Sequence, residues 1–587
     1  MWDLPEKLKI VDDKTKGRCI IAKEDIEQGE LIIREIPYCY ILLKEYSNLM
    51  CNFCFRYFSE KINFIECKEC GKVKYCSKNC LEESRLIHEI ECSILSLNII
   101  DEIAIEVGVT YDRTLLLLRF LIKSIIELTS NSRYKANSEN NCLIPNYNQI
   151  SILEDNMSKF PEDTLEVYRR LSNSLINIPV ISEKIKNNNL NNKLNDNLLL
   201  RIMCIIDSNS FGIPIFSLLN NKGHNDGCLY NPKLNFIPNN SLELTFSLLS
   251  PNITGWGLFS FSSLFNHSCD PNCGFIGVNN SLDDNNNSNN DNNNNNNFNS
   301  LYIDLIANKK IKKNEEICIS YIEMYDSRRN RIKHLSQTKY FFCQCNRCSV
   351  EFNLSKDKYI EGFLCSKCFD NSLSLLENTD SNLNMDNTLL FSKSINELYK
   401  STSLSSIVDD SEYLIFQLTN TYECENCKET FFGSETTKVI NEFNNAISEA
   451  ERLNNEMCDL SSAVELLINI VDKYFNNDDP NITVKPHPMN YLFYRCYKLI
   501  AFWSIILGEW NNVDRYVSFM INSQIFVSNN NINNVDISNL YATKGVALYN
   551  LNRFSESKDA WSRCKLIRKI CCCINHPLYS LIPLKFF

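Results

Sequence analysis

The chain has 587 residues, 44% hydrophobic and 22% charged, an ordinary composition for folded protein and long enough, at roughly 100–200 residues per domain, for several cores. A formal net charge of -11 argues against a surface built for nucleic-acid phosphate, which carries clustered excess Lys and Arg. The start, MWDLPEKLKIVDD, has no basic stretch leading into an apolar one, so the 28 cysteines are expected to work in a reducing compartment as thiols or metal ligands, not disulfides.

In chain order the first feature is a run of soft ligands: Cys51-x2-Cys54, Cys67-x2-Cys70, Cys76-x3-Cys80 and His88-x3-Cys92. Pairs at this spacing reach one ion from a tight turn or one helical turn, so the eight ligands suffice for two closed tetrahedral zinc sites. Lys68, Lys72, Lys74 and Lys78 offset the thiolate charge. With every ligand position filled by protein, these zincs hold a fold together and catalyse nothing.

Apolar residues at helical spacing, among them Leu115, Leu118, Leu121, Ile122 and Ile125, predict helices over residues 101–130 and 150–180. Arg119 and Lys123 interrupt this most apolar stretch long before it could span a bilayer. Polar tracts at 186–197, 279–299 and 370–410 cannot offset their ordering entropy by burial and are expected to be solvated insertions. The middle tract separates two β-rich runs, 273–278 and 301–307, which predicts a hairpin with an expanded connection.

Cys343-x-Cys345-x2-Cys348 supplies three thiolates and needs a fourth ligand, for which Cys269 in the segment Asn266-His267-Ser268-Cys269-Asp270-Pro271-Asn272 is the candidate. Cys365-x2-Cys368 and Cys424-x2-Cys427 have the paired knuckles of a zinc ribbon, which would hold a fourth zinc; four free thiols on loops are the alternative. The cysteines left over, including Cys571, Cys572 and Cys573, are read as small buried residues. From Thr436 the pattern is helical, and Ala501, Gly508, Trp510 and Val513 stand where Gly545, Asn552, Phe554 and Ser557 stand in a second segment. This small–aromatic–small pattern resembles a tetratricopeptide helical hairpin; a plain helical bundle is the alternative.

Taken together, these motifs in this order resemble the SET and MYND domain family of protein lysine methyltransferases. Further elements carry the likeness: the loop Lys16-Gly17-Arg18-Cys19, the strands up to Glu35, the segment from Asp207 through Asn209 to Ile213, the Asn266-His267-Ser268-Cys269 motif and Glu315-Glu316 followed by Tyr321. The resemblance implies an α+β multidomain chain. Its parts are the N-terminal part of a SET domain (1–48), a MYND zinc finger (49–95), a helical insert (96–205), a pseudo-knotted SET core (206–335, with the Asn-rich insertion 279–300), a post-SET zinc region (336–435, with the polar insertion 370–410) and TPR-like helical repeats (436–587). It also implies interleaved finger ligands, Cys51, Cys54, Cys76 and Cys80 on one ion and Cys67, Cys70, His88 and Cys92 on the other.

By the same resemblance Lys16, Gly17, Arg18, Asn209, Asn266 and His267 line a pocket for S-adenosylmethionine. Phe341 covers its adenine, Tyr340 lies beside it near the lysine channel, and Tyr321 is the catalytic tyrosine. Zinc on Cys269, Cys343, Cys345 and Cys348 closes the channel. Two positions depart from the family pattern. Cys19 replaces a glycine whose lack of a side chain permits close backbone approach, and Asn314 replaces a glycine before Glu315. The implied function is transfer of a methyl group to a lysine of a histone or non-histone protein, with proline-rich peptides docking on the finger. The implied protein is monomeric, cytoplasmic or nuclear, and bound to neither membrane nor nucleic acid. The rival reading is an inactive SET/MYND scaffold that binds partners through the finger and repeats.

Overall fold

The structure, a computed structural model, describes residues 2–56, 58, 64–129, 142–214, 253–279, 301–368, 389–399, 407–475, 481–528, 531–572 and 579. The N-terminal strands β1 (Leu8–Asp13) and β2 (Gly17–Ala22) form an antiparallel hairpin. Gly17 takes φ +73 at its turn, where a side chain would be strained, and the Asp13 carboxylate accepts from the Thr15 and Lys16 backbone N–H groups at 2.8 and 2.9 Å.

The apolar runs on either side of the Asn-rich tract pair as an antiparallel hairpin, as expected. After β3 (Leu31–Glu35) and β4 (Cys39–Leu42) come the short strands β5 (Ile65–Glu66), β6 (Lys74–Tyr75) and β7 (Cys142–Leu143). Then follow β8 (Ser210–Pro214), β9 (Ile253–Leu258), β10 (Asn266–His267), β11 (Cys273–Asn279), β12 (Leu301–Ala307) and β13 (Cys318–Ile319). One sheet has the order β11-β12-β3-β7, a second the order β4-β9-β8, and β10 pairs with β13 in parallel. In the β11–β12 hairpin Asn279 stands opposite Leu301, and residues 280–300 lie outside the described residues. All seven residues of β12 are buried, so this near-continuous apolar run is a central strand. Its one charge, Asp304, takes a two-pronged bond from Arg34 at 2.7 Å.

Helix α1 (Lys78–Ser96) begins within the cysteine-rich stretch; the helices predicted before residue 180 are α2 (Ile99–Val107), α3 (Tyr111–Thr129) and α4 (Glu162–Ile176), followed by α5 (Pro179–Asn187) and α6 (Asp196–Asn209). The tract at 186–197 is the connection from α5 to α6, its asparagines largely exposed and its Leu190 and Leu194 buried. Arg119, which broke the apolar run of α3, is buried and holds Glu91 of α1 by two bonds of 2.8 and 3.0 Å while donating to the Tyr40 carbonyl of β4. A charge in mid-core thus fastens the cysteine-rich stretch to the sheet.

Beyond β13, α7 (Arg328–Thr338) leads to the strands β14 (Phe363–Cys365), β15 (Leu390–Phe391), β16 (Thr421–Cys424) and β17 (Thr430–Phe432). Residues 369–388 and 400–406 of the polar insertion lie outside the described residues. β14 pairs with β18 (Val484–Pro486), and the Tyr325 hydroxyl donates to the Met489 carbonyl at 2.6 Å, so this region is joined to the C-terminal helices.

Those helices are α8 (Gly433–Met457), α9 (Leu460–Phe475), α10 (Tyr491–Leu507), α11 (Trp510–Val527), α12 (Val535–Asn550) and α13 (Phe554–Cys571), each packed on the next. The repeated residues mark matching corners: Gly508 and Asn552 both adopt left-handed φ, +75 and +60, and an aromatic residue opens the next helix. A Cβ at Gly545 would come within 2.5 Å of the Trp561 ring, so the small residue lets α13 approach α12. Cys571 and Cys572 are buried, as expected of small apolar residues, Cys458 at the left-handed end of α8 is exposed against that expectation, and Cys573 lies outside the described residues. No described helix is long and apolar enough to cross a membrane.

Candidate active site and zinc clusters

The chain brings the predicted ligands together in four groups: Cys51, Cys54, Cys76 and Cys80; Cys67, Cys70, His88 and Cys92; Cys269, Cys343, Cys345 and Cys348; and Cys365, Cys368, Cys424 and Cys427. Within each group the ligand atoms all lie within 4.8 Å of one another. The pairs Cys54–Cys76, Cys76–Cys80, Cys67–Cys92, Cys365–Cys427 and Cys368–Cys424 have sulfurs 3.5 to 3.8 Å apart. A tetrahedron with Zn–S bonds of about 2.3 Å has corners about 3.8 Å apart, so the donor sets fit zinc in chemistry and in size.

The first two groups interleave. Ser77 caps α1 by accepting from the Cys80 N–H at 3.2 Å, which starts the helix where two ligands must meet the ion. His88 sits with Nε2 3.8 Å from Cys70 Sγ and Nδ1 3.6 Å from Glu91, the carboxylate that Arg119 holds. A carboxylate behind a ligating imidazole fixes its tautomer and its ring orientation.

The third group joins distant segments. Cys269 Sγ is 3.6 Å from Cys348 Sγ and 4.0 Å from Cys343 Sγ, and its N–H donates to Cys345 Sγ at 3.4 Å. Beside it, Arg328, Arg331 and Arg347 converge on the buried carboxylate of Asp357 at 2.8 to 2.9 Å, and Arg331 Nη2 is 3.9 Å from Cys348 Sγ. The surrounding guanidiniums pull this carboxyl far below the usual range against the effect of burial. Three guanidiniums against one carboxylate leave two positive charges, the number that balances zinc bound by four thiolates.

The segment carrying Cys269 also organises the candidate active site. Asn266 Nδ2 donates to the Arg18 carbonyl and to Glu316 Oε1, both at 2.9 Å, while Lys16 pairs with the other Glu316 oxygen at 2.6 Å. Asn272, at the end of the same segment, donates to Glu315 Oε1 and to the Glu316 carbonyl and accepts from the Cys318 N–H. The loop Lys16-Gly17-Arg18 and the Asn266-His267 strand are thereby tied through Glu316. Cys19 is buried beneath Asn266, its Sγ 3.3 Å from Nδ2 and 3.6 Å from the Gly17 carbonyl; burial and then the neighbouring Glu316 push its thiol up to about 11. Asn314 adopts φ +67, the conformation its substitution for glycine requires.

His267 is buried, and burial pushes its imidazole down to about 4, so the ring is neutral. Its Nδ1 accepts from the Tyr321 N–H at 3.0 Å, which leaves Nε2 as the donor facing Cys269 Sγ at 3.2 Å. One imidazole therefore bridges the third cluster and the backbone of Tyr321. The Tyr321 hydroxyl donates to the Phe265 carbonyl at 2.6 Å, and burial pushes the phenol well above its usual range, so it stays protonated. Phe341 stands 6.1 Å from His267 and edge-on to Tyr321 at 6.4 Å.

Two expected residues sit differently. Tyr340 takes φ +60 and packs its ring on Phe160 at 4.8 Å, and the residue over Tyr321 is Lys339, its Nζ 5.7 Å from the ring centroid. The left-handed backbone of Tyr340, just after the end of α7, sends its own ring to Phe160, while Phe341 beyond it returns to Tyr321. Asn209 lies at the C-terminal end of α6, its amide turned back onto the Glu154 and Ile205 carbonyls at 2.8 and 2.9 Å, while its own carbonyl accepts from Ser263. Glu316, Asn272 and Lys339 escaped the sequence reading. Both the Glu-Glu pair and the closing Asn272 lay inside quoted motifs, but nothing in their spacing announced a clamp.

Buried Glu35 completes the frame. Its oxygens accept from the Phe261 and Ser262 N–H groups at 2.9 and 2.7 Å and from the Ser262 hydroxyl at 2.6 Å, fixing the turn that delivers Asn266.

A short parallel pair that joins an Asn-His strand to the strand before a partly buried tyrosine, beside a loop clamped by a glutamate, defines a SET domain. The SET domain family model matches residues 17–322, and the chain belongs to this family. Among its relatives, a SET domain-containing protein of Dictyostelium discoideum is 27% identical over 397 residues, which cover 61% of this chain and 87% of that protein. A SET and MYND domain-containing protein of the same organism is 23% identical over 382 residues, 61% of this chain and 62% of that protein. Mouse histone-lysine N-methyltransferase SMYD3 is 26% identical over 348 residues, 59% of this chain and 63% of that protein. The chain thus spans less than two thirds of the length of the last two.

Proposed function

We propose that this chain transfers a methyl group from S-adenosylmethionine to the ε-amine of a lysine in a protein, histone or non-histone. The observation that supports this most is the Tyr321 hydroxyl, committed as a donor to the Phe265 carbonyl and held protonated by burial, so that its oxygen faces any incoming amine as an acceptor. Lys16, Gly17, Arg18, Asn266 and His267 would hold the cofactor, with Phe341 over it and Asn209 at the rim. When bound, S-adenosylmethionine supplies a methyl group activated by a sulfonium.

Tyr321 orients the amine by accepting a hydrogen bond from one of its N–H groups, and because it stays a phenol it does not act as a general base. A free lysine, of pKa about 10.4, is almost wholly protonated at neutral pH, and the aromatic walls of Tyr321 and Phe341 strip water from the ammonium and favour its neutral form. Positioning is the main catalytic contribution.

The first two clusters build a MYND finger at 49–95 that docks proline-rich peptides. The helices after 436 act as TPR-like repeats that take protein tails. The other segments follow the boundaries set out above, in a monomer of the cytoplasm or nucleus with four structural zinc ions. The test is Tyr321→Phe, assayed for methyl transfer from labelled S-adenosylmethionine to a histone and cell-protein panel. The variant should retain zinc and cofactor binding and lose at least a hundredfold in rate; a rate within threefold of wild type, under 1 kcal/mol of barrier, removes Tyr321 from the chemistry.

A further inference from the structure

Lys339 is the residue that the methyl-transfer reading leaves unexplained. It caps α7, its N–H donating to the Leu335 carbonyl at 2.8 Å, and a cation at a helix C-terminus would ordinarily satisfy that helix. Its ammonium goes elsewhere. Nζ donates at 2.8 Å to the carbonyl of Ser208, in the last turn of α6 and next to Asn209, and it lies 5.7 Å from the centroid of the Tyr321 ring. Phe341, two residues on, faces both His267 and Tyr321. The amine is thus anchored between the two walls of the candidate active site, beside the tyrosine that should receive a substrate lysine.

We infer that Lys339 is a methylation site of the protein's own active centre, its ε-amine occupying the substrate position in cis. This rests on the methyl-transfer reading above. The ammonium first gives a proton to water; the nitrogen lone pair then forms an N–C bond with the methyl carbon of S-adenosylmethionine. The S–C bond breaks with its electron pair on sulfur, leaving S-adenosylhomocysteine and methyl-lysine. Burial lowers the pKa of this amine, while the Asp207 carboxylate, itself paired with Arg113 at 3.5 Å, pulls the other way. A methylated ammonium keeps a donor for the Ser208 carbonyl and remains a good partner for the face of an aromatic ring.

The experiment incubates the zinc-loaded full chain with S-adenosylmethionine bearing a deuterated methyl group and reads the Lys339 peptide by mass spectrometry. In parallel, calorimetry measures cofactor binding, and amine acetylation footprinting with and without S-adenosylhomocysteine measures access to Lys339 independently of turnover. The expected result is a heavy methyl group on Lys339 at a first-order rate independent of protein concentration, at least fivefold protection of Lys339 by S-adenosylhomocysteine, and no mark on that peptide in Lys339→Arg. Cofactor binding with Lys339 unmodified, protected or not, overturns the inference and leaves the methyl-transfer reading standing. Absence of cofactor binding overturns both.

Discussion

Replacing Arg331 by Met tests whether the arginine hub sustains the third zinc cluster. Arg331 is fully buried, with Nη2 2.8 Å from Asp357, 3.9 Å from Cys348 Sγ, and Nη1 2.5 Å from the Asp326 carbonyl. At an effective dielectric near 20, a charge pair at that sulfur distance is worth about 4 kcal/mol, from which the burial of the guanidinium must be subtracted. Truncating one member of a buried, hydrogen-bonded charge pair costs roughly 2–5 kcal/mol. Because Asp357 keeps Arg328 and Arg347, the lower half applies, about 3 kcal/mol or a hundredfold in ion retention. Met replaces the aliphatic stem of the lost side chain without its charge, which limits the packing loss. Dialysis against graded chelator, followed by elemental analysis, should show one ion leaving the variant at about a hundredfold lower chelator activity while the others leave as in wild type. A folded variant that releases every ion at the wild-type chelator activity refutes the charge-balance argument.

The full chain should carry four zinc ions, and Cys365→Ser should lower the count by one; a wild-type count of three would dissolve the fourth site. Cys269→Ser should lose one zinc and, by freeing His267 from its sulfur and loosening Phe341, at least a tenfold share of S-adenosylmethionine affinity, with full zinc and unchanged affinity as the contrary result. For Glu35, burial outweighs the hydrogen bonds from Ser262 and Phe261 and pushes the carboxyl up to about 7 from its usual 4.5. The folded state therefore holds this proton more tightly than the unfolded chain. Its contribution to stability is complete below pH 4.5 and falls by about 3 kcal/mol as pH rises to 7, of which about 1 kcal/mol is lost between pH 6 and 7. Urea midpoints of wild type and Glu35→Gln should diverge in that sense over pH 6 to 8, and parallel profiles would contradict it.

The parts of the molecule legible in sequence were those whose chemistry repeats locally. Cysteine and histidine ligands two to four residues apart marked the zinc groups, the repeat around Gly508 and Asn552 marked two helix corners, and two β-rich runs on either side of asparagines marked the β11–β12 hairpin. What stayed hidden depends on contacts between distant segments or on one backbone angle. The clamp of Glu316 on Lys16 and Asn266 spans most of the SET region, and the Arg119–Glu91 bond gives no periodic signal. The positive φ of Tyr340, at a residue type that seldom adopts it, decides that Lys339 and not Tyr340 faces Tyr321. Cys19 looked like an obstacle in sequence; in the structure its thiol packs under Asn266.

If Asn266, His267 and the Lys16-Gly17-Arg18 loop form one cofactor site, calorimetric titration of the zinc-loaded chain with S-adenosylmethionine reads it out without any need for a protein substrate. The titration should show a single site per chain, weakened at least tenfold in Asn266→Ala, which loses the bonds to Arg18 and Glu316. No binding to the wild-type protein, or equal binding to the variant, would contradict it.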